Sequence, residues 1–388
     1  MGLQIAGVVQ AVRGAEDRVT GTLRTVQEWE SIRTPELKRQ LNTVQLTCEQ
    51  EEAVDRLYLE NYGKKIPYHW HRLYTAYTGR FDPAYFPELL FTPKFERFEN
   101  LWGNYVRVLS DKNLFPLLVC KAGLRTPDYV LSRTRGMYRD GSFQPLSTSG
   151  ACALLGNAGE VFVKPTVDTN SGRGCFVARF ENGVDVLSGT SVEAFFEGLG
   201  NDYAVQERLV CHESIRKLYA DSVNTFRVMT YRWKDELLFA PTIMRIGRGK
   251  SVVDNAGAGG IFIAVDDDGT LHRQAFNESC EAFERHPDTG IVFDGYQIPH
   301  FPKVLAAAKR LHGLLPQLGV INFDFTLDKE GEPVLIEMNL ISAGIFMPEM
   351  AHGKGLFGDN TAEVLRWLRL MEHTKPAERE KYAFGKGV

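Results

Sequence analysis

Two apolar segments near the C-terminus, Val320 to Leu327 and Pro333 to Met338, flank the turn Asp328-Lys329-Glu330-Gly331. This pair constrains the fold more than any other stretch. Each segment has the length of a strand, and a short polar turn between two strands makes an antiparallel hairpin. Asp324 lies in the first strand; Glu337 and Asn339 lie at the end of the second. Residues two apart on a strand share a face, so Glu337 and Asn339 point together and the hairpin can bring Asp324 beside them. Asp, Glu and Asn supply only oxygen ligands, the hard set that magnesium prefers. A hairpin with ordinary acids on a wet face accounts for the same residues.

Upstream, Val161 to Val163 is a strand ending in Lys164, where a partly desolvated ammonium needs an anion. Behind it runs a polar loop, Thr166 to Gly174, whose glycines let backbone amides turn toward a phosphate while Ser171 and Arg173 add donors. A flexible hairpin loop is the plainer reading. Ala204 to Val210, Thr225 to Trp233 and Leu237 to Ile246 are further strands, and Gly260 to Val265 pairs with Leu271 to Ala275 around Asp267-Asp268-Gly269. Asp111 to Ala122 and Pro302 to Leu315 read as helices. Within Gln206-Glu207-Arg208-Leu209-Val210, a polar pair followed by apolar residues suits an adenine hinge, and an interdomain crossover suits it equally.

The first hundred residues read mainly as helix, with Leu37, Leu41, Val44, Leu46, Ala53, Leu57 and Leu59 at helical spacing between Pro35 and Tyr62. A Pro- and aromatic-rich run from Ile66 to Pro93 breaks into turns. Antiparallel hairpins mixed with helices predict an α+β protein. The 388 residues suffice for two or three lobes, and a net charge of -4 argues against a broad nucleic-acid surface. Six scattered cysteines without a C-x-x-C pair fit a reduced, cytoplasmic setting. No apolar run is long enough for a membrane span, and the N-terminal stretch Leu3 to Val9 makes a poor signal peptide.

Taken together, Lys112 in Ser110-Asp111-Lys112, Lys164 in Val163-Lys164-Pro165, the Gly-bearing loop, the Glu207 hinge and Asp324, Glu337 and Asn339 resemble, in residue and order, the ATP-grasp carboxylate–amine ligases. The resemblance begins near residue 105. Tyr62-Gly63-Lys64-Lys65-Ile66-Pro67, Asn224-Thr225-Phe226-Arg227 and His286-Pro287-Asp288-Thr289-Gly290 resemble the sugar-transfer-associated branch.

What the resemblance implies is a helical region over 1–105, a small ATP-grasp lobe over 106–205 and a large catalytic lobe over 206–388. The two α+β lobes would clamp ATP. Lys112 and Lys164 would meet its phosphates, Ser171 and Gly172 would close over them, and Gln206, Glu207, Arg208 and Leu209 would hold adenine. Asp324, Glu337 and Asn339 would hold Mg2+. The reaction would join a small-molecule carboxylate to an amine through an acylphosphate. A kinase on the same fold and a non-catalytic nucleotide binder stay open. Where D-alanine–D-alanine ligases carry an arginine two residues before the first metal carboxylate, this chain has Asn322; Arg227 or Arg245 would substitute. Glu213, or Ser214 beside it, stands in for the ribose ligand, and the loop Gly247 to Gly260 reads equally as a second lid or as an ordinary flexible connection.

Other signals fail on spacing. Gly249-Lys250-Ser251 lacks the P-loop glycine, with Met244 in its place. His69-Trp70-His71 lacks a third metal ligand and reads as structural. Cys211 and His212, adjacent on a strand, would face opposite ways.

Overall fold

The computed structural model describes residues 2–100, 106, 108–109, 111–166 and 174–388, with side chains from residue 14 onward. Two eight-stranded sheets carry the fold. The first contains β1 (Tyr129–Thr134), β2 (Met137–Asp140), β3 (Pro145–Leu146), β4 (Gly159–Pro165), β5 (Phe176–Glu181), β6 (Val184–Asp185), β7 (Thr190–Ser191) and β8 (Tyr203–Glu207), in the order β3-β2-β1-β8-β4-β5-β6-β7. The second contains β9 (Thr225–Trp233), β10 (Glu236–Phe239), β11 (Thr242–Ile246), β12 (Ile261–Val265), β13 (Leu271–Phe276), β14 (Ala282–Phe283), β15 (Val320–Leu327) and β16 (Pro333–Asn339). Its order is β14-β13-β12-β11-β9-β15-β16, with β10 on β9.

In the first sheet, strand alternation does the sorting. Val161 and Val163 of β4 and Val205 of β8 are buried with Ala151, Leu155, Phe195 and Phe196 from the helices Thr148–Leu155 and Val192–Gly198. Phe162 and Lys164, one step out of phase, turn to the opposite face.

β9 divides its labour similarly. Phe226 and Val228 pack with Phe301, Val304, Ala308 and Leu311 of the helix Phe301–Gly313. On the other face Met229, Tyr231 and Trp233 lie under Phe86, Phe91, Phe95 and Phe98 and under Trp367 of the helix Thr361–His373. The N-terminal helices therefore cover one half of this face. Thr225 and Arg227, on the uncovered half, belong to the site.

β9 and β15 begin and end where the apolar pattern predicts. Leu237 to Ile246 is split by Ala240 and Pro241, because proline has no N–H to give the ladder. Pro35 to Tyr62 is two helices, Pro35–Leu41 and Cys48–Asn61, the second started by a Thr47/Gln50 capping box. The helix predicted from Asp111 begins only at Phe115. The run from Ile66 to Pro93 is not all turns: His69–Thr78 is a helix closed by Gly79 at φ 72. Within it His71 is buried against the Pro83 carbonyl, a structural role. Among the described residues no helix is long and apolar enough to cross a membrane.

Candidate active site

The two sheets face each other across a cavity of about 510 Å³, within the usual range for small-molecule sites. Lys112, Lys164, Gln206, Glu207, Arg208, Leu209, Arg227, Arg245, Asp324, Glu337 and Asn339 all line it. Glu213 does not; it is exposed and paired with Lys217 at 2.9 Å. Val210, placed by the sequence on the face of the base, is half exposed and off the cavity wall. Ser171 and Gly172 lie outside the described residues.

Register explains the large-lobe wall. Arg227 of β9, Asp324 of β15 and Glu337 of β16 are direct cross-strand partners, and Thr225 of β9 sits opposite Arg245 of β11. A bulge follows, because Asp324 pairs with Glu337 while Phe325 pairs with Leu335, leaving Ile336 over. Bulges re-aim side chains, and here Ile336, Glu337 and Asn339 all reach the cavity.

Asp324 is 1% exposed and held by two arginines. Arg227 Nε donates to Oδ1 at 3.0 Å and Nη2 to Oδ2 at 2.9 Å; Arg245 Nη2 lies 3.0 Å from Oδ2. Asn339 Nδ2 adds a bond to Oδ2 at 3.2 Å. Burial pushes the Asp324 carboxyl up, but the two guanidiniums outweigh it and hold it below the usual carboxylate range. Arg245 also donates to Thr225 Oγ1 and stands 3.6 Å from Asp254, whose carboxylate takes the Thr225 N–H at 2.9 Å.

Opposite, Lys164 is buried, and no hydrogen bond or ion pair reaches its ammonium among the described residues. Burial, reinforced by the like charge of Lys112 and opposed by Glu337, pushes its ammonium down to about 8. Lys112 Nζ lies 3.4 Å from Glu337 Oε1. At the end of β8 the Glu207 N–H is taken by the Asp128 carbonyl at 2.9 Å, and Arg208 is spent on Glu160 and the Asp221 carbonyl.

The floor beyond Asp324 and Glu337 is the loop Ile341 to Gly344, with Ser342 at φ 52 and Gly344 at φ 43. Buried carboxylates of the N-terminal region fasten it. Glu96 accepts the Ser342 and Ala343 N–H groups at 2.8 and 3.1 Å and pairs with Arg24 at 3.0 Å; Glu88 accepts the Ile345 N–H at 2.9 Å. Glu96→Ala is expected to cost about 2 kcal/mol and to loosen this floor, seen as a lower denaturation midpoint and faster hydrogen exchange at Ser342 and Ala343.

Residues 91–364 match the family described as sugar-transfer associated ATP-grasp. The chain belongs to this family. Similar solved structures include D-alanyl-alanine synthetase A from Vibrio cholerae, 16% identical over 67% of this chain and 63% of that one, TM-score 0.39. Carboxyaminoimidazole ribonucleotide synthase from Aspergillus clavatus, complexed with ATP, is 11% identical over 61% and 45%, TM-score 0.35. L-amino acid ligase from Bacillus licheniformis is 14% identical over 63% and 42%, TM-score 0.33. The chain spans less than two thirds of each of these. No curated protein matches the sequence.

An ATP-grasp site implies a nucleotide and magnesium, and the side chains present fit both. Lys164 is a buried cation without an anion, and Lys112 stands on the same wall. Among the described residues Glu337 forms one ion pair, with Lys112, the Asn339 carbonyl oxygen takes no hydrogen bond, and Asp324 Oδ1 accepts one. That is an all-oxygen donor set.

Sequence reasoning missed several members of the wall. Phe162, Val177 and Ile336 join the expected Leu209 in an apolar slot, and Phe162 was legible as the residue two before Lys164 on one strand. Asp254 and Glu278 carried no local signal; only the tertiary fold brings them to the cavity.

Proposed function

We propose that this chain is an ADP-forming carboxylate–amine ligase that uses ATP with magnesium to activate a carboxylate and join it to an amine. The observation that carries the reading is the composition of the cavity between the two sheets. Lysines, arginines and an all-oxygen metal set face one another in it, and no histidine lines it among the described residues. Such a wall suits chemistry done by positioning and charge neutralisation rather than by a general base.

Lys112 and Lys164 bind the phosphate oxygens, while Phe162, Val177, Leu209 and Ile336 enclose the adenine. Asp324, Glu337 and Asn339 hold magnesium, which when bound neutralises phosphate charge. Arg227 and Arg245 orient the substrate carboxylate, whose oxygen attacks the γ-phosphorus as ADP leaves. The amine, neutral after its ammonium form loses a proton to solvent, bonds through nitrogen to the carbonyl carbon of the acylphosphate. Phosphate departs with the C–O bond electrons, and the nitrogen sheds its second proton to it or to water. Glu278, a carboxylate on the wall with no side-chain partner among the described residues, suits the cationic form of the amine. The family description supports a sugar acid as the carboxylate, with an amino acid as the next class, in surface-polysaccharide or natural-product biosynthesis.

The test is nucleotide product analysis with pooled carboxylates and amines, with mass spectrometry on the same samples. ADP and phosphate released only with a carboxylate–amine pair, alongside a product lighter than the pair by one water, is the expected result. A phosphorylated alcohol, or AMP and pyrophosphate, would overturn it. Glu337→Gln is expected to lower turnover by at least about tenfold with the melting temperature unchanged, since its carboxylate has one long contact to lose. Full activity in that variant would remove Glu337 from the metal set.

A further inference from the structure

We propose that Asp266, His272 and His352 form a site for a borderline divalent transition metal, of which zinc is the natural probe. One donor atom of each residue lies within 4.8 Å of the others. None of the three lines the cavity, so this site is separate from the all-oxygen set at Glu337.

Local structure delivers each donor. Asp266 follows β12 directly and His272 is the second residue of β13, so the tight turn between the strands places them together. That turn is pinned by Asp266 N–H to the Thr270 carbonyl at 2.9 Å and Gly269 N–H to the Asp266 carbonyl at 2.8 Å, with Gly269 at φ 91. His272 Nε2 then lies 3.0 Å from Asp266 Oδ1, a separation that two ligands of one small cation share. The third donor comes from elsewhere in the chain. His352 ends the helix Phe346–His352, and its ring centroid is 4.9 Å from that of His272.

The His352 environment is what a metal-binding imidazole needs. Its Nε2 donates to the Thr242 carbonyl at 2.7 Å, which fixes the tautomer and leaves Nδ1 with its lone pair. A ring nitrogen held this way by a backbone carbonyl is the usual support for a histidine ligand. His272 and Asp266 are partly exposed, so a hydrated ion can reach the cluster. Two imidazoles and one carboxylate favour zinc, cobalt or nickel over magnesium, with remaining positions filled by water.

The metal would tie the end of the helix Phe346–His352 to the β12–β13 hairpin. The start of the same helix, Phe346 and Met347, lines the cavity. The site is thus a clamp on one wall of the pocket, outside its chemistry.

The test uses the full chain, stripped with chelator and dialysed against micromolar zinc in excess magnesium. One zinc per chain is expected by elemental analysis, with a higher melting temperature. His272→Ala and, independently, Asp266→Asn should weaken binding by at least about tenfold; both positions are exposed enough for the fold to survive. Cobalt should give a visible d–d absorption that His272→Ala abolishes. Absence of stoichiometric zinc would overturn the proposal. So would zinc retained undiminished in both variants, which would place the metal on other donors such as the free cysteines.

Discussion

Asp324→Asn is expected to lower stability by about 3–5 kcal/mol and to abolish turnover. The replacement keeps the shape and removes the charge. Arg227, 12% exposed at its side chain, then has no carboxylate, and Arg245, at 8%, keeps only Asp254 at 3.6 Å. The new amide also presents N–H groups to donors, so part of the arginine fork is left unsatisfied. The measurement is the urea midpoint, which should fall with an unchanged slope. Adding Arg227→Met to Asp324→Asn should cost less than the two changes summed, because the pair is coupled. The acid limb gives a second reading. The folded Asp324 carboxyl titrates below its unfolded value, so its contribution is present above that value and lost as pH falls through the folded one. The variant should lack that part of the acid limb. An unchanged midpoint would mean that the two ion pairs contribute nothing net. Because Asp324 holds the wall together, loss of activity there does not identify a metal ligand. Glu337, whose one ion pair among the described residues is the 3.4 Å contact with Lys112, is the clean probe.

The strands of the large lobe were legible because their alternation is strong. Phe226 and Val228 against Arg227 and Met229 already separate two faces, and in β15 Ile321, Phe323, Phe325 and Leu327 make one face apolar throughout while Asp324 lies on the other. The helix His69–Thr78 was not legible. Its buried residues Trp70, Leu73, Tyr74 and Tyr77 are mostly aromatic, and the Gly79, Pro83, Pro87 and Pro93 that follow mark the whole run as turns. The helix Thr361–His373 carries Val364, Leu365, Leu368 and Met371 at helical spacing and is readable in principle.

The candidate site divides in the same way. Residues at strand ends with a fixed two-residue phase, Lys164 and the Glu337–Asn339 pair, arrive in the cavity together. What depends on distant packing does not show in a local string. The bulge at Ile336 is a matter of cross-strand register, and the anchoring of the loop at Ser342 depends on Glu96, 246 positions away. Glu213 shows the limit of reading by offset from a motif: β8 ends at Glu207, and Glu213 opens the short helix Glu213–Leu218, facing solvent.

Lys164→Met is expected to act in opposite directions on stability and binding. In the wild type the buried ammonium has no ion-pair partner among the described residues and Glu337 only partly offsets its burial, so the folded protein carries the cost of its charge. The folded value, about 8, lies below the unfolded 10.5, a gap worth about 3 kcal/mol. The sign follows from proton counts: above pH 8 the unfolded chain binds a proton that the folded one has released, so stability rises from about pH 8 toward 10.5. Below pH 8 the cost is present in full. Methionine fills similar space without it, and the variant should melt higher than wild type at pH 7 and lose the alkaline rise. Nucleotide binding should move the other way, with the affinity for ATP falling about 10–100-fold. In the wild type that affinity should weaken as pH passes 8, because the free protein then presents a neutral amine, and the methionine variant should show no such step. Binding below the step should take up a proton wherever the amine is partly neutral, so the calorimetric enthalpy near pH 8 should depend on the ionisation enthalpy of the buffer. A variant that melts lower and binds ATP as before would make Lys164 a packing residue, with its charge satisfied in the protein alone. A variant that melts higher and no longer binds would show that the fold tolerates a destabilising charge at the place where a triphosphate needs one.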